Sequence, residues 1–256
     1  ARLIGAREAL GSKRQVFFVS LGGFDNHDRL MENHPALLSQ VDEAIGVFYA
    51  ATEELGVADK VTFFERDYRE LEGTFDRVVS VGMMEHVGVQ HFDEYFGKVR
   101  DLLTDDGYAM IHAIGRMTPP GTTGPFIRKY IFPGTDVPTL GEVLPVIEDA
   151  MLIVTDVEVL RLHYAETLRI WEERFQANRD KVRDLYDERF CLMWEYYLAA
   201  SEVTFRYWDM MNFQIQLTRE LETLPLTRTY MWEAEERLRA EDEAAAKREA
   251  FKIAGE

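Results

Sequence analysis

The chain carries a single cysteine, Cys191. That excludes an internal disulfide and fits a reducing cytoplasm. No apolar run reaches the roughly 18 residues that a transmembrane helix needs. The basic opening ARLIGAREALGSKR is followed by no long apolar core, which argues against a signal peptide. Positive charge is scarce: 29 Lys and Arg stand against 46 Asp and Glu, a net charge of −17. This balance excludes a typical nucleic-acid binder and is unfavourable for approach to anionic lipid headgroups. Glycine-rich phosphate or nucleotide loops are missing too. There is no G-x-G-x-x-G, and the nearest stretch is SLGGFDNHD, residues 20–28.

What is present suits a packed domain. A chain of 256 residues with 46% hydrophobic content can build one large α/β domain, with room for a small appendage. Gln15–Ser20 reads as a buried strand, and an apolar stripe within residues 36–55 reads as the helix that follows it. Further strands are expected at 60–66, 76–82, 108–114, 152–160 and 211–218. Helices are expected at 91–103, 140–149, 165–182 and 184–207, with a long loop at 115–138. Alternating strands and helices imply a mostly parallel sheet with crossovers. Residues 232–250, charged and alanine-rich, read as an exposed helical tail.

The stretch FDRVVSVGMMEHVG, residues 75–88, is the most informative. Its near-continuous apolar run is that of a parallel strand covered on both faces, central in its sheet. Glu85 and His86 arrive where the strand would emerge, at the edge where open α/β sheets bind ligands. A carboxylate there serves either chemistry or the capping of the next helix. Asp25 and His27 in GGFDNHD read as loop residues or as a pair of metal ligands.

Several separated segments read together: KYIFPG (129–134), VTDVEVLRLHYAETLRIW (154–171), DERFCLMWEYYLAASEVTFR (187–206), FQIQLT (213–218) and PLTRTY (225–230). From about Asp59 to Tyr230 the chain resembles the cyclopropane-fatty-acyl-phospholipid synthases and the related mycolic acid cyclopropane synthases. The resemblance implies a Rossmann-like S-adenosylmethionine (SAM) methyltransferase fold with a helical C-terminal insertion, N-terminally truncated. It also implies a bacterial enzyme that adds a methylene across the double bond of an unsaturated phospholipid acyl chain. Such an enzyme would be cytoplasmic, with peripheral contact at the inner membrane face. In the family an alkene carbon attacks the SAM methyl, and a bound bicarbonate takes a proton from the resulting cation. The bicarbonate-holding positions match Glu85, His112, Ile114 and Tyr164 here, and the adenine-contacting positions match Asp67 and Tyr68. Their bland alternatives are a core histidine for His112, a helix anchor for Tyr164, and a turn residue and a core aromatic for Asp67 and Tyr68.

The chain departs from the family in three places. The upstream glycine turn that holds the methionine end of SAM is not found, nor is a binding-site cysteine before it. Ser201 stands where some relatives have a cysteine, so no thiol role carries over, and Cys191 reads as a small buried hydrophobe. Residues 14–57 instead resemble part of an exported-protein family with an alkaline-phosphatase-like fold. The expected organisation is a foreign segment (1–57) lending a surrogate strand and helix, a methyltransferase-like domain (58–231) and a charged tail (232–256), with a seam near Gly56–Lys60. Phe126, Ile127, Tyr130, Ile131 and Phe132 would line an acyl cavity or pack as core. Two rival functions remain: an inactive acyl-binding remnant, and a metal hydrolase fragment around Asp25 and His27.

Overall fold

The computed structural model describes residues 15–19, 45–53, 56, 58–62, 64 and 66–253. Asp25 and His27, and much of the segment 14–57, lie outside them. In chain order the elements are β1 (Gln15–Val19), helical residues 45–53 (α1), β2 (Phe75–Val81) and the one-turn α2 (Met84–Val87). Next come α3 (Phe92–Leu102), β3 (Leu103–Arg116), α4 (Pro125–Tyr130), α5 (Leu140–Asp149) and β4 (Ile153–Val159). The chain continues through α6 (His163–Ala177), α7 (Arg179–Leu185), α8 (Glu188–Tyr207), β5 (Met210–Thr218) and α9 (Thr229–Ile253).

The strands form one sheet in the order β1-β2-β3-β5-β4. β1, β2 and β3 are parallel, and β5 runs antiparallel to both β3 and β4. The strand expected at Gln15–Ser20 is there, pairing from Gln15↔Arg77 to Val19↔Val81. Two expectations change. β2 is an interior strand, but the middle of the sheet is β3. Among the described residues of 60–66 there is no strand: Ala58–Lys60 is a 3-10 turn, and residues 61, 62 and 64 are irregular. KVTFFER has strand composition, but a strand needs a ladder partner for its main-chain groups. β1 ends the sheet, and among the described residues no strand lies beyond it to offer one.

Alternation along β3 builds two cores. Ala109, Ile111 and Ala113 join Val78, Phe213, Ile215 and Leu217 beneath α3 and α5. The intervening Ile114 faces the other way, into a cluster of Leu168, Cys191, Leu198 and Phe205 from α6 and α8. α3 packs because Phe92, Tyr95, Phe96, Val99 and Leu102 recur at helical spacing and are all buried. The Tyr95 hydroxyl donates to Ser80 Oγ at 2.7 Å, so the buried polar pair is satisfied and α3 is pinned to β2. α5 opens on a capping box: Thr139 Oγ1 accepts from Glu142 N at 3.1 Å, and Glu142 Oε2 accepts from Thr139 N at 2.9 Å. Such a cap stabilises by about 1 kcal/mol. Gly115 lies so close to Phe213 that a Cβ would sit 2.5 Å from its ring. No helix among the described residues is long and apolar enough to cross a membrane.

Candidate functional site

The site begins where β2 stops. Gly82 adopts φ 63°, in the left-handed region that glycine enters without penalty. Its N–H still donates to His112 O at 3.0 Å, so the chain leaves the sheet directly beside β3. One turn of helix follows, ended by Gly88 at φ 85°. This fold-back brings Glu85 over the end of β3, where its Oε1 accepts from Ile114 N at 2.6 Å. The main chain is held as well, since Asp136 N donates to Glu85 O at 3.1 Å.

Glu85 is 5% exposed, and its Oε2 is buried with no partner. Burial raises its pKa, and the Ile114 amide only partly offsets this. A carboxyl group in that state holds one oxygen fixed and leaves the other ready for a guest. Burial also raises the Tyr164 pKa, and the charge of Glu85 adds to it, so the two side chains sense one another. The Tyr164 ring packs against Phe205 at 4.8 Å and Trp171 at 5.9 Å, anchoring the start of α6.

His112 lies two residues before Ile114 on the same face of β3, opposite Gln214 of β5. Its Nδ1 is 3.2 Å from Gln214 Nε2, and its Nε2 is 3.4 Å from Asn212 Nδ2. Burial lowers its pKa, favouring the neutral ring. A neutral imidazole accepts at one nitrogen only, so Gln214 donates to Nδ1 and Nε2 keeps the proton. With the Asn212 amide assigned the other way round, its Oδ1 would accept that proton, which would also give a partner to a buried oxygen that has none. Asn212 and Gln214 were not singled out in the sequence. Their signal is the polar alternation of MNFQIQLT, odd in a strand buried between β3 and β4. Tyr197 also escaped notice: burial and the nearby Tyr164 push its pKa up to about 12.

The remaining candidates divide. His86 meets the Phe132 ring edge-on at 6.2 Å, and burial lowers its pKa. Asp67 caps the 3-10 turn Tyr68–Glu70 through Arg69 N at 3.0 Å and clasps the Arg69 guanidinium through both oxygens. That clasp holds its pKa near about 2. Tyr68 lies edge-on to Tyr95 at 5.7 Å, against the first core. Phe126, Ile127, Ile131 and Phe132 pack against the second cluster, while Tyr130 is exposed. Cys191 is fully buried. No group of three or more metal-ligating side chains occurs among the described residues.

Chemically, Glu85 leaves one carboxyl oxygen open in a poorly solvated place beside the β3 main chain at Ile114, within electrostatic reach of the half-buried Tyr164. That donor and acceptor set suits a small oxyanion, which would take up the unpartnered Glu85 Oε2 as a hydrogen-bond partner when the carboxyl is protonated.

A family model described as mycolic acid cyclopropane synthetase matches residues 38–215. The match begins ahead of the seam expected at Gly56–Lys60. Among curated proteins, the chain is 41% identical over 160 residues to a tuberculostearic acid methyltransferase of Mycobacterium tuberculosis, covering 60% of this chain and 38% of that protein. It is 38% identical over 162 residues to the cyclopropane-fatty-acyl-phospholipid synthase of Escherichia coli K12, covering 63% of this chain and 42% of that protein. The chain thus spans about two fifths of the curated relatives it matches. Among solved structures, the cyclopropane synthase MmaA2 of Mycobacterium tuberculosis superposes with TM-score 0.60 at 22% identity, covering 82% of this chain and 81% of that one. A mycolic acid cyclopropane synthase complexed with SAH and CTAB superposes with TM-score 0.59 at 22% identity, over 85% and 84% of the two chains. At that identity the likeness establishes the methyltransferase-type α/β fold.

Proposed function

Because the chain belongs to the mycolic acid cyclopropane synthetase family, we propose that it is built for SAM-dependent one-carbon transfer to the double bond of an unsaturated phospholipid acyl chain. The observation that carries this reading is Glu85: a buried carboxyl at the ligand edge, one oxygen on Ile114 N and the other unpartnered. When bound, SAM would supply the one-carbon group and bicarbonate a base. Glu85 Oε2, the Ile114 amide, His112 Nε2–H and the Tyr164 hydroxyl would hold the bicarbonate, which would displace Glu85 Oε1 from Ile114 N. Of the His112 contacts, the one at Nε2 is the longer at 3.4 Å, so it is the more readily exchanged. The Tyr164 ring presents an aromatic face to developing positive charge. Asp67 and Tyr68 would meet the adenine.

The same reading holds that transfer is impaired. The chain carries no G-x-G-x-x-G turn for the methionine end, and in SLGGFDNHD the pair Gly22–Gly23 is followed by bulky Phe24 and acidic Asp25. Orientation of the reacting groups commonly supplies about 7–11 kcal/mol of barrier lowering. In this organisation residues 58–231 are the lipid-modifying domain, 232–256 a charged tail, and 1–57 lends β1 to the sheet, with separate origin confined to the part ahead of residue 38, where the family match begins. Asp67 favours a second reading, an inactive acyl-binding remnant: both its oxygens are engaged by Arg69. Calorimetric titration with SAM, with mass spectrometry of lipids from cells expressing the chain, separates the two. Weak SAM binding with no lipid product is expected. Micromolar binding and a gain of one methylene on unsaturated acyl chains would overturn the claim of impairment.

A further inference from the structure

Negative charge dominates this chain but is not evenly spread. No Asp or Glu falls between Asp106 and Asp136, the longest such interval in the sequence, and three cations do: Arg116, Arg128 and Lys129. On the neighbouring helices Arg169, Arg179, Arg183 and Arg206 are in ion pairs, while Arg174 and Arg189 have none among the described residues. Arg116, Arg128 and Lys129 have no carboxylate partner among the described residues. Arg128 and Lys129 are exposed on α4, with Lys129 Nζ 5.1 Å from the Tyr130 ring centre. Arg116 is half-buried on the His112 face of β3, and its Nε is buried without a partner.

Apolar side chains stand out from the same surface. Met117 and Tyr130 are exposed, and α8 turns Tyr196, Val203 and Tyr207 outward at helical spacing, with Trp208 74% exposed just after them. The two elements are joined: Phe126 meets Tyr196 edge-on at 4.7 Å, and Met117 N donates to Asp209 O at 2.7 Å. The acids nearby are engaged. Asp209 accepts from Thr118 Oγ1, Glu195 pairs with Arg179, and Glu202 with Arg206.

We propose that α4, the loop 117–124 and the outer face of α8 form the surface that seats this protein on anionic phospholipid bilayers. Tyrosine and tryptophan rings suit the headgroup layer, and unpaired lysine and arginine suit its phosphates. The acidic remainder of the molecule is repelled by such a bilayer, so the charge pattern fixes which side approaches. Arg116 then lies between this surface and Ile114, placed to meet the phosphate of a lipid whose chain enters the site. The assignment rests on the lipid-modifying reading given above.

The test is co-sedimentation of the full chain with vesicles of phosphatidylcholine, alone or mixed with phosphatidylglycerol, at low and high salt. Binding is expected only to the mixed vesicles and should fall with salt. Arg128→Gln with Lys129→Gln should weaken it about 25-fold, about fivefold per cation. Tyr207→Ser with Trp208→Ser should weaken it as well, while Lys98→Gln with Lys181→Gln should not. Equal binding to both vesicle types, or equal loss in the control pair, overturns the proposal. So does self-association in analytical ultracentrifugation that Tyr207→Ser with Trp208→Ser abolishes, since a second copy would then own the stripe. Methylene transfer is read separately. Vesicle binding with no detectable SAM binding counts against the enzymatic reading alone, and transfer to lipid in detergent micelles without vesicle binding counts against the surface alone.

Discussion

Glu85 is a group whose fold holds it in the less soluble of its two states. Burial raises its pKa, so the folded protein favours the neutral acid. Its stabilising contribution is present below the unfolded pKa and is lost as pH rises through the higher folded one. Glu85→Gln keeps the neutral form at every pH. Melting curves of the two proteins should therefore coincide near about pH 4 and separate upward, with the variant the more stable by about pH 8. A difference that does not change with pH would mean that Glu85 is solvated in solution. The same substitution should remove any methylene transfer, because the carboxyl that faces the guest is gone. Asp67 behaves oppositely: the Arg69 guanidinium holds its pKa low, but the pair is exposed and adds little stability.

At the scale of elements, the turn between β2 and α2 carries the site. Gly82 has open space where a Cβ would go, so its only constraint is φ 63°. Gly82→Ala should cost about 1–2 kcal/mol and, by relaxing the turn, loosen the Glu85–Ile114 bond. A melting shift without any change in the Glu85 titration seen by NMR would separate strain from site geometry. Much at this scale was legible in the sequence. The helices ending near Leu102 and Asp149 and the strands near 108–114, 152–160 and 211–218 declared themselves by periodicity, because each buries one stripe or face. The segment 60–66 misled for a physical reason: its residues favour a strand, but pairing is decided by neighbours that composition does not reveal. Glu85, Ile114 and Tyr164 are candidates through their motifs, and of these the structure joins Glu85 to Ile114 N. Asn212 and Gln214 were not legible, since what marks them is the ring they touch across two strands.

At the scale of the whole molecule, a net charge of −17 means self-repulsion in the compact state. Added salt screens it, so the melting temperature should rise between low ionic strength and about 0.15 M, where the Debye length is about 8 Å. A fall would show that the ion pairs of α6–α8 outweigh the repulsion. One feature of β3 reaches furthest. Its odd-numbered residues 109, 111 and 113 fill one core, while His112 and Ile114 face the other side. The address of the candidate site is thus written as parity along a single strand. Inserting or deleting one residue between Gly107 and Gly115 would send His112 into the aliphatic layer under α3 and an aliphatic side chain into the site. A change of two residues would keep the parity. Evolution can lengthen or shorten this strand only in even steps if it is to keep what the strand carries.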